Sequence, residues 1–177
     1  MTDAELVARV LDGHAEAFTV LVGRFHEGCA RLAYRLLGNR QDAEDALQET
    51  LLRAYRSLGR YRDQDAFRAW LYRILINQCR TLARRRARLD RRLVHDPAAL
   101  EHPAPDPAER RNEIHDAFQV ALDGLEPLLK EAFLLKHGED LDYTEMARIT
   151  GSGISALKMR VKRACDALRP RLEAMLS

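Results

Sequence analysis

The chain has 177 residues, a formal net charge of +2, 46% hydrophobic residues, nine glycines and six prolines. This composition excludes collagen-like and low-complexity proteins. The longest stretch without Asp, Glu, Lys or Arg is 149–157, whereas a membrane span needs about 20 apolar residues. The N-terminal sequence MTDAELVARV carries charges where an export signal needs an apolar run. We therefore expect a cytoplasmic protein without membrane insertion.

Apolar residues recur every three or four positions in the first half of the chain, which predicts helices. One stripe runs from Phe18 to Leu36 and stops at Gly38-Asn39, and a second runs from Ala43 to Leu58. The first two turns of the second helix contain four acidic residues and no base. A third stripe from Phe67 to Leu82 continues into an arginine cluster. Because no segment alternates with period two over strand length, we predict an all-α protein.

Residues 93–110 have a different composition. They contain four of the six prolines, four acidic residues and one arginine, without apolar periodicity. Such a segment is typical of an extended or disordered linker. The sequence therefore predicts two small helical domains, 1–92 and 111–177, joined by a Pro-rich acidic linker over 93–110.

The positive charge is concentrated in two segments. Residues 68–92 carry nine Arg against one Asp, and residues 158–171 carry two Lys and four Arg against one Asp. Two basic segments in an otherwise acidic chain favour a polyanion bound at two places, because each phosphate contact releases counterions. The alternative is two solvated helix faces.

The C-terminal segment has the spacing of a helix-turn-helix. Asp142 and Glu145 predict a capping box. The series Ala147, Gly151 and Leu157 then supplies a small residue for close helix approach, a glycine for the turn and an aliphatic residue that fixes the second helix. We expect Ser155 to cap that second helix. An ordinary helical hairpin is the alternative, but a helix with an apolar inner face and a basic outer face suits a DNA major groove.

The chain resembles the extracytoplasmic-function group of the sigma-70 family of bacterial RNA polymerase sigma factors. The resemblance rests on four stretches in order: Asp42–Arg56, Phe67–Asn77 with the following arginines, Leu128–Leu135, and Tyr143–Ala147 continued by Leu157–Ala164. It implies that 1–92 is sigma region 2 and 111–177 is sigma region 4. It also implies a promoter-specificity subunit for −35/−10 promoters of a specific regulon, in a stress or envelope response. The implied partners are core RNA polymerase (the largest-subunit clamp coiled coil and the flap), promoter DNA and an anti-sigma factor.

The resemblance further implies three groups of site residues. The residues that bind core polymerase are Asp42, Asp45, Gln48, Glu49 and Leu52. The residues that melt and read the −10 element are Tyr61, Arg62, Asp63, Trp70, Arg73, Asn77, Arg80, Arg84 and Arg85. The residues that read the −35 element are Ser155, Lys158, Met159, Arg160, Lys162 and Arg163.

Within these groups, several residues have an alternative interpretation. The acidic start of the second helix also suits the helix dipole, and Trp70 also suits a plain core position. Asn77 interrupts an apolar run, so its amide is expected to have a specific partner. The chain departs from the common family pattern at Ser152-Gly153 in the turn and at Met159, where a small hydroxyl residue is common. Met159 therefore predicts apolar contact with a thymine methyl group.

Three other function classes fit the sequence less well. The six histidines are scattered, and no nucleophile pair or phosphate loop is present, so we expect neither an enzyme nor a cofactor. The three cysteines lack CxxC or His spacing, which predicts free thiols and no metal site. A stand-alone helix-turn-helix repressor does not need the arginine-rich third helix. A sigma-mimicking partner-switch protein should lack the basic groove face.

Overall fold

The computed structural model describes residues 1–62, 66–93 and 113–176, and these residues form helices without a strand. The all-α prediction is therefore confirmed. The helices are α1 (Asp3–Leu11), α2 (Glu16–Gly23), α3 (His26–Leu37), α4 (Arg40–Ser57), α5 (Phe67–Leu93), α6 (Glu113–Asp123), α7 (Pro127–Phe133), α8 (Tyr143–Thr150) and α9 (Ile154–Leu176). A 3₁₀ turn, Leu58–Arg60, follows α4, and a π-helical turn, Leu134–Gly138, follows α7.

The first predicted stripe is two helices rather than one. The chain breaks between α2 and α3, directly after Gly23, and glycine is a weak helix former. Periodicity does not reveal this break, because Leu21 and Leu32 on either side of it are both buried. The sequence interpretation also omitted α1, which begins at a capping box formed by Thr2 and Glu5.

Helices α3, α4 and α5 pack against one another and form the centre of the N-terminal half, residues 1–93. Helix α4 buries a stripe that includes Ala43, Ala46 and Leu47. Its start is fixed by Asn39, whose side chain accepts a hydrogen bond from the Asp42 amide. Because one side of α4 faces the core, its other side remains available to a partner.

The C-terminal half, residues 113–176, contains α6 to α9. The capping box predicted at Asp142 and Glu145 opens α8 and is confirmed. Gly151 ends α8 with φ 71°, a left-handed conformation that favours glycine. After this turn, α9 begins at Ile154, and Leu157 is fully buried against the rest of this half.

The two halves pack against each other. Helix α8 lies on α5, and the π-helical turn lies on α3. Buried residues of both halves, such as Leu71 and Met146, belong to one hydrophobic cluster. This contact determines which of the predicted site residues are exposed in the free chain.

Candidate polymerase and nucleic-acid interface

The predicted polymerase-binding residues lie along one side of α4. Asp45, Gln48 and Leu52 are exposed, and Leu52 has 50% of its surface accessible. Tyr55, three residues beyond Leu52, is 49% exposed and extends the same face. Sequence reasoning missed Tyr55, although the i, i+3 spacing from Leu52 would have indicated it. An apolar and acidic strip with exposed Leu and Tyr side chains suits a protein partner better than a nucleic acid.

Two of the predicted polymerase-binding residues have partners within the chain. The Asp42 carboxylate accepts hydrogen bonds from Asn39 Nδ2 at 2.7 Å and from Arg86 Nη1 at 3.1 Å. It therefore joins the start of α4 to the end of α5. Glu49 Oε1 accepts a hydrogen bond from Arg53 Nε at 2.6 Å, one helical turn away. Asp42 thus stabilises the helix pair, and Asp45, Gln48 and Leu52 remain the accessible part of the face.

An aromatic cluster lies where the 3₁₀ turn meets the start of α5. The Tyr61 and Trp70 ring centroids are 5.2 Å apart, and Phe67 packs against both rings. Tyr61 is 6% exposed, so its ring belongs to the core, whereas Trp70 is only partly buried. Trp70 is therefore the aromatic side chain with a surface left for stacking. Asp63 lies outside the described residues.

A pocket of about 340 Å³ opens beside Trp70, and arginines surround it. Its basic residues are Arg60, Arg62, Arg73 and Arg148. Arg62 donates to the Gly59 carbonyl oxygen at 2.8 Å, which fixes the turn. Sequence reasoning identified Arg62 and Arg73 but missed Arg60 and Arg148, and Arg148 comes from α8 in the other half of the chain. Cations around an aromatic face suit a base with its phosphate.

Further along α5, Asn77, Arg84 and Arg85 are exposed, as predicted for a surface that binds DNA. The amide that is buried within the apolar run is the adjacent Gln78. With its oxygen towards α4, Gln78 accepts from Arg53 Nε and Nη1, both at 2.9 Å. Asn77 itself faces solvent, since neighbouring helix positions are about 100° apart, and its −10 role stays a prediction.

Arg80, a predicted −10 residue, is paired with the C-terminal half. Its Nε and Nη2 atoms donate to the two Glu131 carboxylate oxygens at 2.9 and 2.6 Å. This two-fold hydrogen bond to Glu131 raises the pKa of Arg80 above its usual value. The fork-to-fork geometry is the one by which arginine also binds phosphate.

The predicted −35 residues lie on α9. Lys158, Met159, Lys162 and Arg163 are exposed, and Leu157, Val161 and Ala164 face inward. Lys158 Nζ lies 5.7 Å from the centre of the Tyr143 ring. The outer face of α9 is thus basic and accessible, while its inner face is fixed by packing.

Ser155 does not have the structural role expected of it, whereas Arg160 has one that was not expected. Ser155 is the second residue of α9, and the Gly153 carbonyl oxygen accepts the first helical hydrogen bond, from Leu157 N. The expectation that Ser155 caps the helix was therefore wrong, and Gly153 occupies that position. Arg160 Nη1 donates to Ser152 Oγ at 2.8 Å, which braces the turn.

In the described parts of the chain, no helix is both long enough and apolar enough to cross a membrane. Residues 1–62, 66–93 and 113–176 also contain no group of three His, Cys, Asp or Glu side chains that could hold a metal ion. Burial raises the pKa of Cys29 and of Cys79 to about 12, so both thiols are protonated at neutral pH.

Comparisons with known proteins agree with this geometry. The family model of sigma-70 region 2 matches residues 21–89, and that of sigma-70 region 4 matches residues 115–168. The chain is 31% identical to the RNA polymerase sigma-H factor of Pseudomonas aeruginosa, over 98% of this chain and 95% of the relative. It is 34% identical to the ECF RNA polymerase sigma factor SigE of Mycolicibacterium smegmatis, over 86% of this chain and 60% of the relative.

Two solved structures have similar folds. The sigma factor RpoE, in complex with the anti-sigma factor NepR from Bartonella quintana, matches with a TM-score of 0.74 and 28% identity, over 88% of this chain and 96% of RpoE. CnrH, in complex with the cytosolic domain of CnrY, matches with a TM-score of 0.69 and 28% identity, over 98% of this chain and 96% of CnrH. The chain belongs to the extracytoplasmic-function group of the sigma-70 family, whose members are promoter-specificity subunits of bacterial RNA polymerase and not enzymes.

Proposed function

We propose that this chain uses one surface to bind RNA polymerase and two surfaces to recognise promoter DNA. It acts in the cytoplasm on the promoters of one stress or envelope regulon. The exposed face of α4, with Asp45, Gln48 and Leu52, binds the clamp coiled coil of the polymerase. Residues 1–92 act as region 2, residues 93–110 as the linker, and residues 111–177 as region 4, which also contacts the flap.

The α5 surface captures and melts the −10 element. Trp70 offers a stacking face beside the arginine-lined pocket, and single-strand capture needs such a platform together with cations for phosphates. Asn77 is exposed seven residues after Trp70, on the same face of α5, and its amide can form hydrogen bonds. Arg73, Arg84 and Arg85 supply the charges that hold the backbone.

The α9 surface reads the −35 duplex. Lys158, Lys162 and Arg163 contact phosphates or base edges, and Met159 contacts a thymine methyl group. The observation that carries this division is that two basic helix faces, on α5 and α9, belong to separate halves of the chain. A repressor dimer needs only the α9 face.

The chain is also proposed to bind an anti-sigma factor. RpoE was solved with such a partner and matches over 88% of this chain. The cognate protein would be one that covers surfaces of both halves, because both halves carry proposed binding residues.

Run-off transcription with core polymerase on a genomic promoter library tests the function. The wild-type chain should direct initiation from a discrete set of promoters that share −35 and −10 elements. Asp45→Lys should abolish this by weakening polymerase binding, while Glu16→Lys, the same charge reversal on α2, should not. Asn77→Ala should impair opening of duplex promoters, seen by permanganate footprinting, while Lys162→Ala should weaken the closed complex. Normal opening by Asn77→Ala would remove the melting role from α5.

A further inference from the structure

The pocket beside Trp70 combines one aromatic ring with four arginines. We propose that this pocket binds a free purine nucleoside diphosphate, with the base stacked on Trp70 and the phosphates held by the arginines. The bound nucleotide then excludes a DNA strand from Trp70. The nucleotide site goes beyond the proposed function, and only the exclusion of DNA rests on it.

Trp70 forms a fixed wall of the pocket. Its ring centroid lies 5.2 Å from that of Tyr61 and 5.5 Å from that of Phe67. Tyr61 and Phe67 are both buried, whereas Trp70 is only partly buried. The indole is therefore held by core rings and still has surface open to the pocket. A stacking surface that is already in place loses little conformational entropy when a base binds.

Small side chains leave space for a ligand beside the indole. The pocket volume of about 340 Å³ lies within the range of roughly 300 to 1,000 Å³ that small-molecule sites have. Ala66 and Ala69 line the pocket, and neither side chain offers a hydrogen-bonding group to the edge of a base. The base is therefore recognised by stacking on Trp70. A purine is favoured, because its two fused rings cover more of the indole than a pyrimidine ring does.

The four arginines of the pocket come from different parts of the chain. All are exposed, and they are Arg60 in the 3₁₀ turn, Arg62 shortly after it, Arg73 on α5 and Arg148 on α8. Arg73 is three residues after Trp70, so the two side chains are neighbours on one helix face. A groove for a strand carries its cations along the path of the backbone. Cations that surround one ring suit a single nucleotide better than a strand.

Three of these arginines have no carboxylate partner in the described part of the chain. The ion pairs found there do not include Arg60, Arg73 or Arg148. Arg80 and Arg86, further along α5, are each paired with a carboxylate of the chain. Clustered cations raise the local positive potential, and a bound anion lowers their mutual repulsion. The pocket is thus the part of this surface that is suited to a small anion.

Four guanidinium groups suit a diphosphate better than a single phosphate. A guanidinium binds phosphate through a fork of two N–H groups. Arg62 contributes only part of its donors, because its Nη1 already donates to the backbone oxygens of Gly59 and Tyr61 at 2.8 and 3.2 Å. The forks of the other three arginines offer more donors than the oxygens of one phosphate accept in this geometry. A second phosphate supplies the additional acceptors.

Fluorescence of the free full-length chain tests the site directly. Trp70 is the only tryptophan of the sequence, so a base stacked on the indole should quench the intrinsic emission. ADP is the probe, and adenosine and pyrophosphate represent its two parts. We expect saturable quenching by ADP, after correction for absorption by the base. Adenosine and pyrophosphate should each bind at least about tenfold more weakly, and pyrophosphate, followed by calorimetry, should cause no quenching.

Arginine variants test the geometry of the pocket. Arg73→Ala and Arg148→Ala each remove one guanidinium and should weaken ADP binding about tenfold. Arg148→Lys keeps the charge without the fork, so it should restore only part of the affinity. Arg169→Ala is the matched control, because Arg169 is exposed on α9 in the same half as Arg148 and does not line the pocket. Circular dichroism verifies that each variant retains its helices.

Saturable quenching by ADP that Arg148→Ala weakens and Arg169→Ala leaves unchanged supports the nucleotide site. Absence of saturable ADP binding, or equal ADP binding by the wild type and Arg148→Ala, would overturn it. Equal affinity for ADP and pyrophosphate would also overturn it, because the arginines would then form a general anion patch without a base site.

Competition with labelled single-stranded (dT)₂₀ tests the exclusion of DNA. With ADP at about ten times its Kd, the apparent affinity of the free chain for (dT)₂₀ should fall about tenfold. Undiminished (dT)₂₀ binding under these conditions would overturn the exclusion. A chain that binds ADP but does not bind (dT)₂₀ would count against the proposed −10 role of Trp70, and the ADP titration would still support the nucleotide site.

Discussion

The orientation of α9 makes opposite predictions for two neighbouring residues of similar size. Leu157 is fully buried and packs α9 against α8, whereas Met159 is 57% exposed on the basic face. Leu157→Ala should lower the free energy of unfolding by about 3 to 5 kcal/mol, because a buried leucine leaves a cavity. Met159→Ala should change it by less than about 0.5 kcal/mol, as expected of a surface residue. Urea unfolding followed by circular dichroism measures both.

The same pair separates stability from recognition. If Met159 contacts a thymine methyl, Met159→Ala should weaken holoenzyme binding to the −35 duplex by about 0.8 kcal/mol, roughly fourfold. Replacing that thymine by deoxyuridine removes the methyl, so the wild type should lose the same factor and Met159→Ala nothing more. A variant that still loses affinity on the deoxyuridine duplex would refute the methyl contact. Equal destabilisation by Leu157→Ala and Met159→Ala would refute the orientation of α9.

Two further predictions concern stability. Asp142→Ala should cost about 1 kcal/mol in thermal unfolding by removing the cap of α8, while Asp142→Asn, which can also cap, should cost far less. The raised pKa values of Cys29 and Cys79, about 12, make the folded chain hold protons that the unfolded chain releases above its thiol pKa near 9. The part of the free energy of unfolding that comes from these two thiols should therefore be fully present below about pH 9 and should decrease as the pH rises towards 12. Cys79→Ala should reduce the slope of the free energy of unfolding against pH in this range by up to about 1.4 kcal/mol per pH unit.

Periodicity and local chemistry were sufficient to predict most of the helices and the outer face of α9, but not α1 or the break between α2 and α3. The apolar stripe of a helix indicates which side is buried. The Asp142 capping box and the Gly151 turn are local sequence signals, so they can be recognised without knowledge of the tertiary contacts. The exposed positions of Lys162 and Arg163 follow directly from the buried positions of Leu157 and Val161.

Contacts between the halves could not be predicted in this way. Glu131 lies in the apolar run 128–135 and Glu139 in the polar run 136–140, and neither context indicates an ion pair, yet each glutamate is buried with a partner more than fifty positions away. The sequence also does not show which of the two neighbouring amides, Asn77 and Gln78, is buried. A shift of the helix by one residue would bury Asn77 and expose Gln78. Such residues are identified by tertiary packing alone.

The charged contacts of this interface follow from the chemistry of the α5 surface. A surface that binds a nucleic acid needs cations that are solvated in the free state, so it cannot be closed by an apolar partner without leaving those cations buried and unpaired. A carboxylate resolves this conflict, because it satisfies Arg80 with the geometry that a phosphate uses. Added salt should therefore weaken DNA binding more steeply than it weakens the Arg80–Glu131 pair, since DNA binding releases many counterions and the internal pair is shielded by burial.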